Sequence, residues 1–344
     1  MDNLMKWVTP DGWLDERNHH IFAREALYKG RNGRFVERFY VSQQQSYIFK
    51  PVTHAGQAGR EGWVYEHILP LIPDIYPKML ARSDASDETS WAIFEDLGKL
   101  KHAFEWDTLL EVTKAMARWH ALPGDQLPVE TPVNGHKPRI ELAAAEITLQ
   151  AEAAASLLAE LHISASAAAR LLAAIRDLAA MGDRSPYAAS QVLTHGDLHL
   201  GNYAMAGEKL YILDWEHAHL NTMHWDLYHL LDMSHPLFPK QITSSTRERV
   251  LNVYAAESAA NGRILDRDQL GEEYAFFAAV YSVWMLLLIR KDLEQKEAVW
   301  PASQLQAQWR ETADSLMQCM SLLGFIDGRS DKDIGNHIEK AVGE

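Results

Sequence analysis

The chain of 344 residues is 47% hydrophobic and 23% charged, a balance that excludes wholesale disorder and suffices for one large or two modest domains with a buried core. Its formal net charge of −14 argues against a nucleic-acid partner, because an acidic surface repels phosphates, and is compatible with a cationic substrate. The one cysteine, Cys319, rules out an intrachain disulfide and fits a reducing compartment.

Met1 to Trp7 has neither the charged start nor the apolar run of a signal peptide. Residues 23 to 50 read as three strands. Leu27-Tyr28 leads into a turn at Lys29 to Gly33, Phe35 to Val41 is rich in β-branched and aromatic residues, and Tyr47-Ile48-Phe49-Lys50 follows a polar turn. A helix is expected from Arg60 to Leu69, with Val64, Tyr65 and Ile68 on one face and Pro70 and Pro73 closing it. Strands over Ile75 to Leu80 and Trp91 to Glu95, joined by the polar segment Ser83 to Ser90, complete a β-rich first part.

After Gly98 the pattern turns helical. Asp107 to Ala121 is amphipathic, and the alanine-rich residues 140 to 181 read as a helical hairpin with Ser164 or Ser166 as N-cap. A β island runs from Val192 to Asp214. Helices follow at about 244–260, 269–292 and 303–323. The longest apolar stretch, Tyr274 to Ile289, is short for a membrane span and is flanked by Glu272, Glu273 and Arg290, so a buried core helix is expected and no membrane partner. The expected location is the cytoplasm. The expected organisation is an N-terminal lobe over residues 1–98 and a helical C-terminal lobe over 99–344.

Chemistry concentrates in Thr194-His195-Gly196-Asp197-Leu198-His199-Leu200-Gly201-Asn202 and Tyr211-Ile212-Leu213-Asp214-Trp215-Glu216. Phosphoryl transfer to a hydroxyl needs a carboxylate to orient and deprotonate the acceptor, oxygen ligands for Mg²⁺, and positive charge near the transferring group. Asp197 and Asn202 lie within reach of one compact loop. Two short strands, Tyr203–Met205 and Leu210–Leu213, joined at Gly207-Glu208, form a hairpin that should return Asp214 to Asn202. A carboxylate with an amide oxygen suits Mg²⁺, a hard cation that keeps part of its water shell.

Asp197, then Asn202 five positions on, then Asp214 resemble the catalytic loop and metal-binding aspartate of the protein-kinase-like superfamily. The His-Gly-Asp opening resembles the aminoglycoside phosphotransferase and choline kinase family. The resemblance implies an α+β, bilobal protein-kinase-like fold over about residues 20 to 325. It implies a small-molecule kinase that moves the γ-phosphate of Mg-ATP or Mg-GTP to a small hydroxyl acceptor such as an aminoglycoside, choline, a sugar, a macrolide or homoserine. By it Asp197 is the catalytic base, Asn202 and Asp214 are metal ligands, Asp226 braces the catalytic loop and His195 orders its backbone. His199 stands where protein kinases usually carry a lysine, either to neutralise the γ-phosphate or to bond the backbone.

Lys50 resembles the family's strand lysine on the α- and β-phosphates, with Glu61 as its helix partner and Glu66 as second choice. Gly30 and Gly33 either let the backbone approach phosphates or make a plain hairpin turn. Glu95, Asp96 and Leu97 occupy the segment that reads adenine in the family. The helix end Met116 to Ala121 also resembles a family feature, although its spacing suits core packing. Glu216, His217, His219 and Asp232 are candidates to line the acceptor pocket, with Glu272, Glu273 and Trp300 more distant ones.

Two other readings compete. His195, Asp197 and His199 alternate, so on a strand they would share a face and, with Asp214, could hold a hydrolytic metal. That reading leaves Asn202 and Lys50 unexplained. A nucleotide-binding pseudokinase or scaffold would normally lack one of the base, the metal ligands or the lysine, and all of them are present.

Overall fold

The computed structural model describes residues 4–15, 17, 20–30, 32–53, 56, 58–84, 87–295 and 299–326. The chain divides into two units, Met1–Ala103 with Asn202–His217, and Phe104–Gly201 with Ala218–Glu344. The boundary expected after residue 98 thus lies after Ala103, and residues 202 to 217, expected in the helical part, belong with the β-rich one.

In the first unit, strands β1 (Ala23–Lys29), β2 (Phe35–Tyr40), β3 (Ser46–Pro51), β4 (Met79–Arg82) and β5 (Trp91–Glu95) form an antiparallel sheet ordered β1-β2-β3-β5-β4. Side chains alternate across a strand, so Phe39, Phe49, Trp91 and Ile93 share one face and pack with Trp7 and Leu14. Lys50, paired with Ala92, takes the opposite face. Arg31 in the β1–β2 turn and residues 85 and 86 before β5 lie outside the described residues. Helix α1 covers Arg60–His67, and a 3₁₀ turn at Leu69–Leu71 replaces the end of the expected helix at Pro70.

The strand expected at Ile75 starts instead at Met79. Pro77 has no N–H to donate to a ladder, and the Ile75 carbonyl accepts the Ile212 N–H at 2.6 Å. That bond explains why residues 202 to 217 join this unit. The hairpin of β7 (Tyr203–Ala206) and β8 (Lys209–Ile212) is held to it there and by reciprocal Lys101–Met205 backbone bonds of 3.3 and 3.4 Å.

The second unit contains, among the described residues, helices α2 (Trp106–His120), α3 (Ile140–Leu149), α4 (Ala151–Glu160), α5 (Ala165–Met181), α6 (Pro186–Ala189), α7 (His224–Leu231), α8 (Ser244–Ala260), α9 (Arg267–Glu294) and α10 (Ala302–Leu322). The expected hairpin over 140 to 181 is three helices, with α3 and α4 bent by 90° at Gln150. Thr148 Oγ1 and Gln150 Nε2 donate to the carbonyls of Ala144 and Glu146, competing with the helical ladder where it breaks. Ser164 is the N-cap of α5, accepting the Ala167 N–H at 3.2 Å. Helix α9 is long and apolar enough to cross a membrane, but 72% of its most apolar stretch is buried inside the protein. A strand unforeseen in the sequence, β9 (His219–Thr222), pairs antiparallel with β6 (Gln191–Thr194) and aligns Thr194 with His219. The loop after β6 carries Asp197.

Candidate active site

The first unit gathers three carboxylates around one lysine. Lys50 Nζ donates to Glu61 Oε1 at 2.9 Å and to Asp214 Oδ1, and lies 3.4 Å from Glu216 Oε2. Burial alone would lower the Lys50 pKa, but Asp214, Glu216 and Glu61, in that order, hold it well above the ordinary lysine value. Burial raises the Glu61 carboxyl to about 7 against the pull of Lys50. Glu66 pairs instead with Arg82 at 2.6 Å. Glu216, a candidate for the acceptor pocket, is corrected to this cluster. It sits in the 3₁₀ turn Trp215–His217, anchored by the buried Trp215 indole on the Ile212 carbonyl at 3.1 Å. His217 ends the same turn, its Nε2 3.7 Å from Glu216 Oε1. A shallow recess opens here, lined by Lys50, Glu61, Gly62, Arg82, Trp91 and Glu216 among others.

Asn202 and Asp214 are brought together by the β7–β8 hairpin, whose ends close through the Leu213 N–H on the Asn202 carbonyl at 2.8 Å. Asp214 has φ 62°, a left-handed backbone that a β-branched residue would resist and aspartate tolerates. Its carboxylate and the Asn202 amide oxygen are hard oxygen donors, the set that Mg²⁺ prefers.

The glycines of the β1–β2 turn answer to geometry. Gly33 has φ +83°, and a Cβ on Gly30 would lie 2.7 Å from Thr53 Cβ. The turn is tied back by Asn32 Nδ2 to the Val52 carbonyl at 2.7 Å. At the end of β5, Glu95 exchanges bonds with Lys78, its N–H donating to the Lys78 carbonyl at 3.0 Å and its side chain accepting the Lys78 N–H at 2.8 Å. Asp96 accepts from Arg38 (2.7 and 3.2 Å), Ser46 Oγ (2.6 Å) and the Gly98 N–H (2.9 Å). The Glu95 N–H and both carboxylates are therefore committed to partners within this unit.

In the second unit the loop after Thr194 is fixed from below by Asp226. Its carboxylate accepts the N–H of His195 at 2.7 Å and of Gly196 at 3.1 Å, the Trp119 indole at 3.2 Å and His120 Nε2 at 3.2 Å. Burial would raise Asp226, but the His120 hydrogen bond and its neighbours bring it to about 2. The helix-end pair Trp119-His120 is thus part of the loop's support and not simple core packing. Trp225 Nε1 donates to the Gly196 carbonyl at 2.9 Å, and the Asp197 N–H donates to His195 Nδ1 at 3.2 Å.

Asp197 stands among bases. Lys137 Nζ donates to its Oδ1 at 2.7 Å; His199, His229 and His136 present Nε2 at 3.6, 3.7 and 3.8 Å. Burial would raise its pKa, yet the cationic Lys137, first among its basic neighbours, holds it well below the carboxylate range. Burial lowers His199 to about 3, so it is neutral. It accepts the Gly201 N–H on Nδ1 at 3.0 Å and stacks on His235 at 4.5 Å. The expectation that it supplies a lysine's charge is therefore corrected in favour of the backbone bond. Lys137 and His136 escaped the sequence reading. The only local signal was a basic pair, His136-Lys137, ahead of Pro138 in an acidic chain.

Two acceptor-pocket candidates are corrected as well. Asp232 is 2% exposed and accepts from Arg247 (2.7 and 3.0 Å), Ser315 (2.9 Å) and Tyr274. His219 is 1% exposed in β9 and packs edge-on against Trp225. Nor do His195, Asp197 and His199 share a strand face, because β6 ends at Thr194.

A profile described as the phosphotransferase enzyme family matches residues 77–268, more than half of the chain. No curated protein sequence matches it. Solved structures with a similar fold include choline kinase LicA from Streptococcus pneumoniae (16% identity over 87% of this chain and 94% of that one, TM-score 0.53). Wild-type aminoglycoside 2'-phosphotransferase-IIIa, solved with GDP, is 18% identical over 86% and 94%, with TM-score 0.56. A choline/ethanolamine kinase family protein from Mesorhizobium loti is 13% identical over 95% and 94%, with TM-score 0.52. These likenesses identify the fold as protein-kinase-like. The chain belongs to the phosphotransferase enzyme family, as a phosphotransferase with an alcohol group of a small molecule as acceptor.

Proposed function

We propose that this phosphotransferase moves the γ-phosphate of a Mg²⁺-bound nucleotide, ATP or GTP, to the hydroxyl of a small molecule, with Asp197 as the base. The observation that carries the reading is Asp197, paired with Lys137 at 2.7 Å, on a loop whose backbone is pinned by Asp226. A base needs a fixed position and the deprotonated form before it can receive a proton. Asp197 accepts the hydrogen bond, and then the proton, of the acceptor hydroxyl. Lys50, held by Glu61, binds nucleotide phosphate. Asn202 and Asp214 would hold Mg²⁺, which when bound neutralises phosphate charge.

The case for an amine-bearing acceptor weakens. Glu216 and Asp232, the carboxylates that would attract an amine, are engaged by Lys50 and Arg247. A thermal-shift screen of nucleotides with Mg²⁺, then of hydroxylated amines, sugars and antibiotics, tests the reading, since ligands of the folded state raise Tm by mass action. Nucleotide consumption coupled to phosphorylation of one hydroxyl compound supports it. Nucleotide binding without turnover on any acceptor supports a pseudokinase instead, and Zn²⁺-dependent hydrolysis indifferent to nucleotide a metallohydrolase.

A further inference from the structure

Lys137 lies sixty positions before Asp197, yet its Nζ donates to Asp197 Oδ1 at 2.7 Å. It is also held from the other side. His229 Nδ1 contacts the Trp225 carbonyl at 2.8 Å. A carbonyl can only accept, so the proton is on Nδ1, and Nε2 offers its lone pair to Lys137 Nζ at 3.1 Å. His229 is 1% exposed, and burial keeps it neutral.

The loop that delivers Lys137 is fixed at three points. The Pro132 carbonyl accepts the Leu220 N–H at 2.7 Å, and the Pro138 carbonyl accepts the Tyr281 hydroxyl. Gly135 packs so tightly on His219 that a Cβ there would meet the imidazole at 2.6 Å. His219 therefore serves this loop. A surface lysine drifting onto a nearby carboxylate would need none of this.

We propose that Lys137, clamped by His229, is the positioning residue of Asp197: its ammonium on Oδ1 fixes the orientation of the carboxylate, whose Oδ2 lies 3.6 Å from His199 Nε2, and keeps it ionised. This rests on the reading of Asp197 as the base. Other groups face Asp197 as well: His136 beside Lys137, His199 on its own loop and His229 on α7, with His235 and Lys240 beyond them. Burial lowers His199 to about 3 and His235 to about 4, so both are neutral near pH 7. Lys240 is turned away, donating to the His229 and Leu230 carbonyls at 3.1 Å.

The test is the pH dependence of kcat/KM for Lys137→Met, Lys137→Arg and His229→Gln, each checked for folding by Tm and for Mg-nucleotide Kd. Removing an opposite charge at this distance moves the acid limb of Lys137→Met up by about one to three pH units. Lys137→Arg keeps the wild-type acid limb with a lower kcat, because charge is retained and the fit is not. His229→Gln shifts the limb in the same direction as Lys137→Met, and Mg-nucleotide Kd stays within twofold throughout. A purely structural role would move Tm and leave the limb in place. Superimposable profiles for Lys137→Met and wild type overturn the proposal, as does an equal shift in Lys137→Arg. Should Lys137→Met fail to fold, an unmoved limb in His229→Gln overturns it. Asp197→Asn run alongside separates the two claims. Full activity there sinks the base assignment itself, whereas an inactive Asp197→Asn with an unmoved Lys137→Met limb sinks only the role of Lys137.

Discussion

The carboxylate of Asp226 accepts the backbone N–H of His195 at 2.7 Å, so a residue of α7 fixes the chain two positions before Asp197. The N–H groups of His195 and Gly196, the Trp119 indole and His120 Nε2 converge on those two oxygens, all of them buried. Asp226→Asn keeps the shape but replaces one acceptor oxygen with an NH₂ group facing donors. Denaturant unfolding is expected to show a loss of about 3 kcal/mol. Initial rates at a temperature where the variant stays folded should also fall, with Mg-nucleotide affinity unchanged. Wild-type stability in this variant would show that Asp226 does not hold the loop.

Asp214 shares Lys50 with Glu61 and Glu216. Calorimetric titration of Asp214→Ala with nucleotide, in Mg²⁺ and then in EDTA, should give the same weak affinity in both. The wild type should bind more tightly in Mg²⁺. A Mg²⁺-dependent gain that survives in Asp214→Ala refutes the assignment of Asp214 as a metal ligand.

Asp232 and Arg247 form a fully buried pair within the helical unit. Removing one partner strands the other charge, so Asp232→Ala should cost about 3–5 kcal/mol in chemical denaturation. At a temperature where it remains folded, its acceptor KM should equal that of the wild type. A raised KM with unchanged stability would return Asp232 to the acceptor site.

Acid should weaken the fold through buried neutral histidines. Burial lowers His224 to about 3, well under its unfolded value, so the unfolded chain binds the proton first. The stability His224 contributes is intact above about pH 6.5 and is lost as pH falls toward 3. His199 and His235 act in the same sense, while Glu61 and Glu311, raised to about 7, act in the opposite one. His224→Gln isolates a single group. Between pH 7 and pH 5 it should lose about 2 kcal/mol less stability than the wild type, measured by denaturant midpoints. Equal losses would contradict this.

What the sequence made legible is what is local. Asp197, Asn202 and Asp214 lie in one loop and one hairpin, and Gly207 marks the turn between the strands. The β-rich and helical halves follow from a change of residue period near Gly98. What depends on tertiary pinning was hidden. Lys137 reaches Asp197 only because Leu220, Tyr281 and His219 hold its loop. Glu216 and Asp232 follow Asp214 closely, yet nearness in sequence does not say which way a side chain turns, and both turn to internal cations. The α3–α4 bend carries no glycine or proline, so an alanine-rich run concealed it.

The most direct measurement compares wild type with Asp197→Asn in acceptor-dependent transfer of phosphate from Mg-nucleotide, with nucleotide Kd recorded for both. General-base help is worth roughly 10²- to 10⁴-fold. The variant should fall by about that factor in kcat while binding Mg-nucleotide as the wild type does. Equal turnover by the two proteins would contradict the assignment of Asp197 as the base.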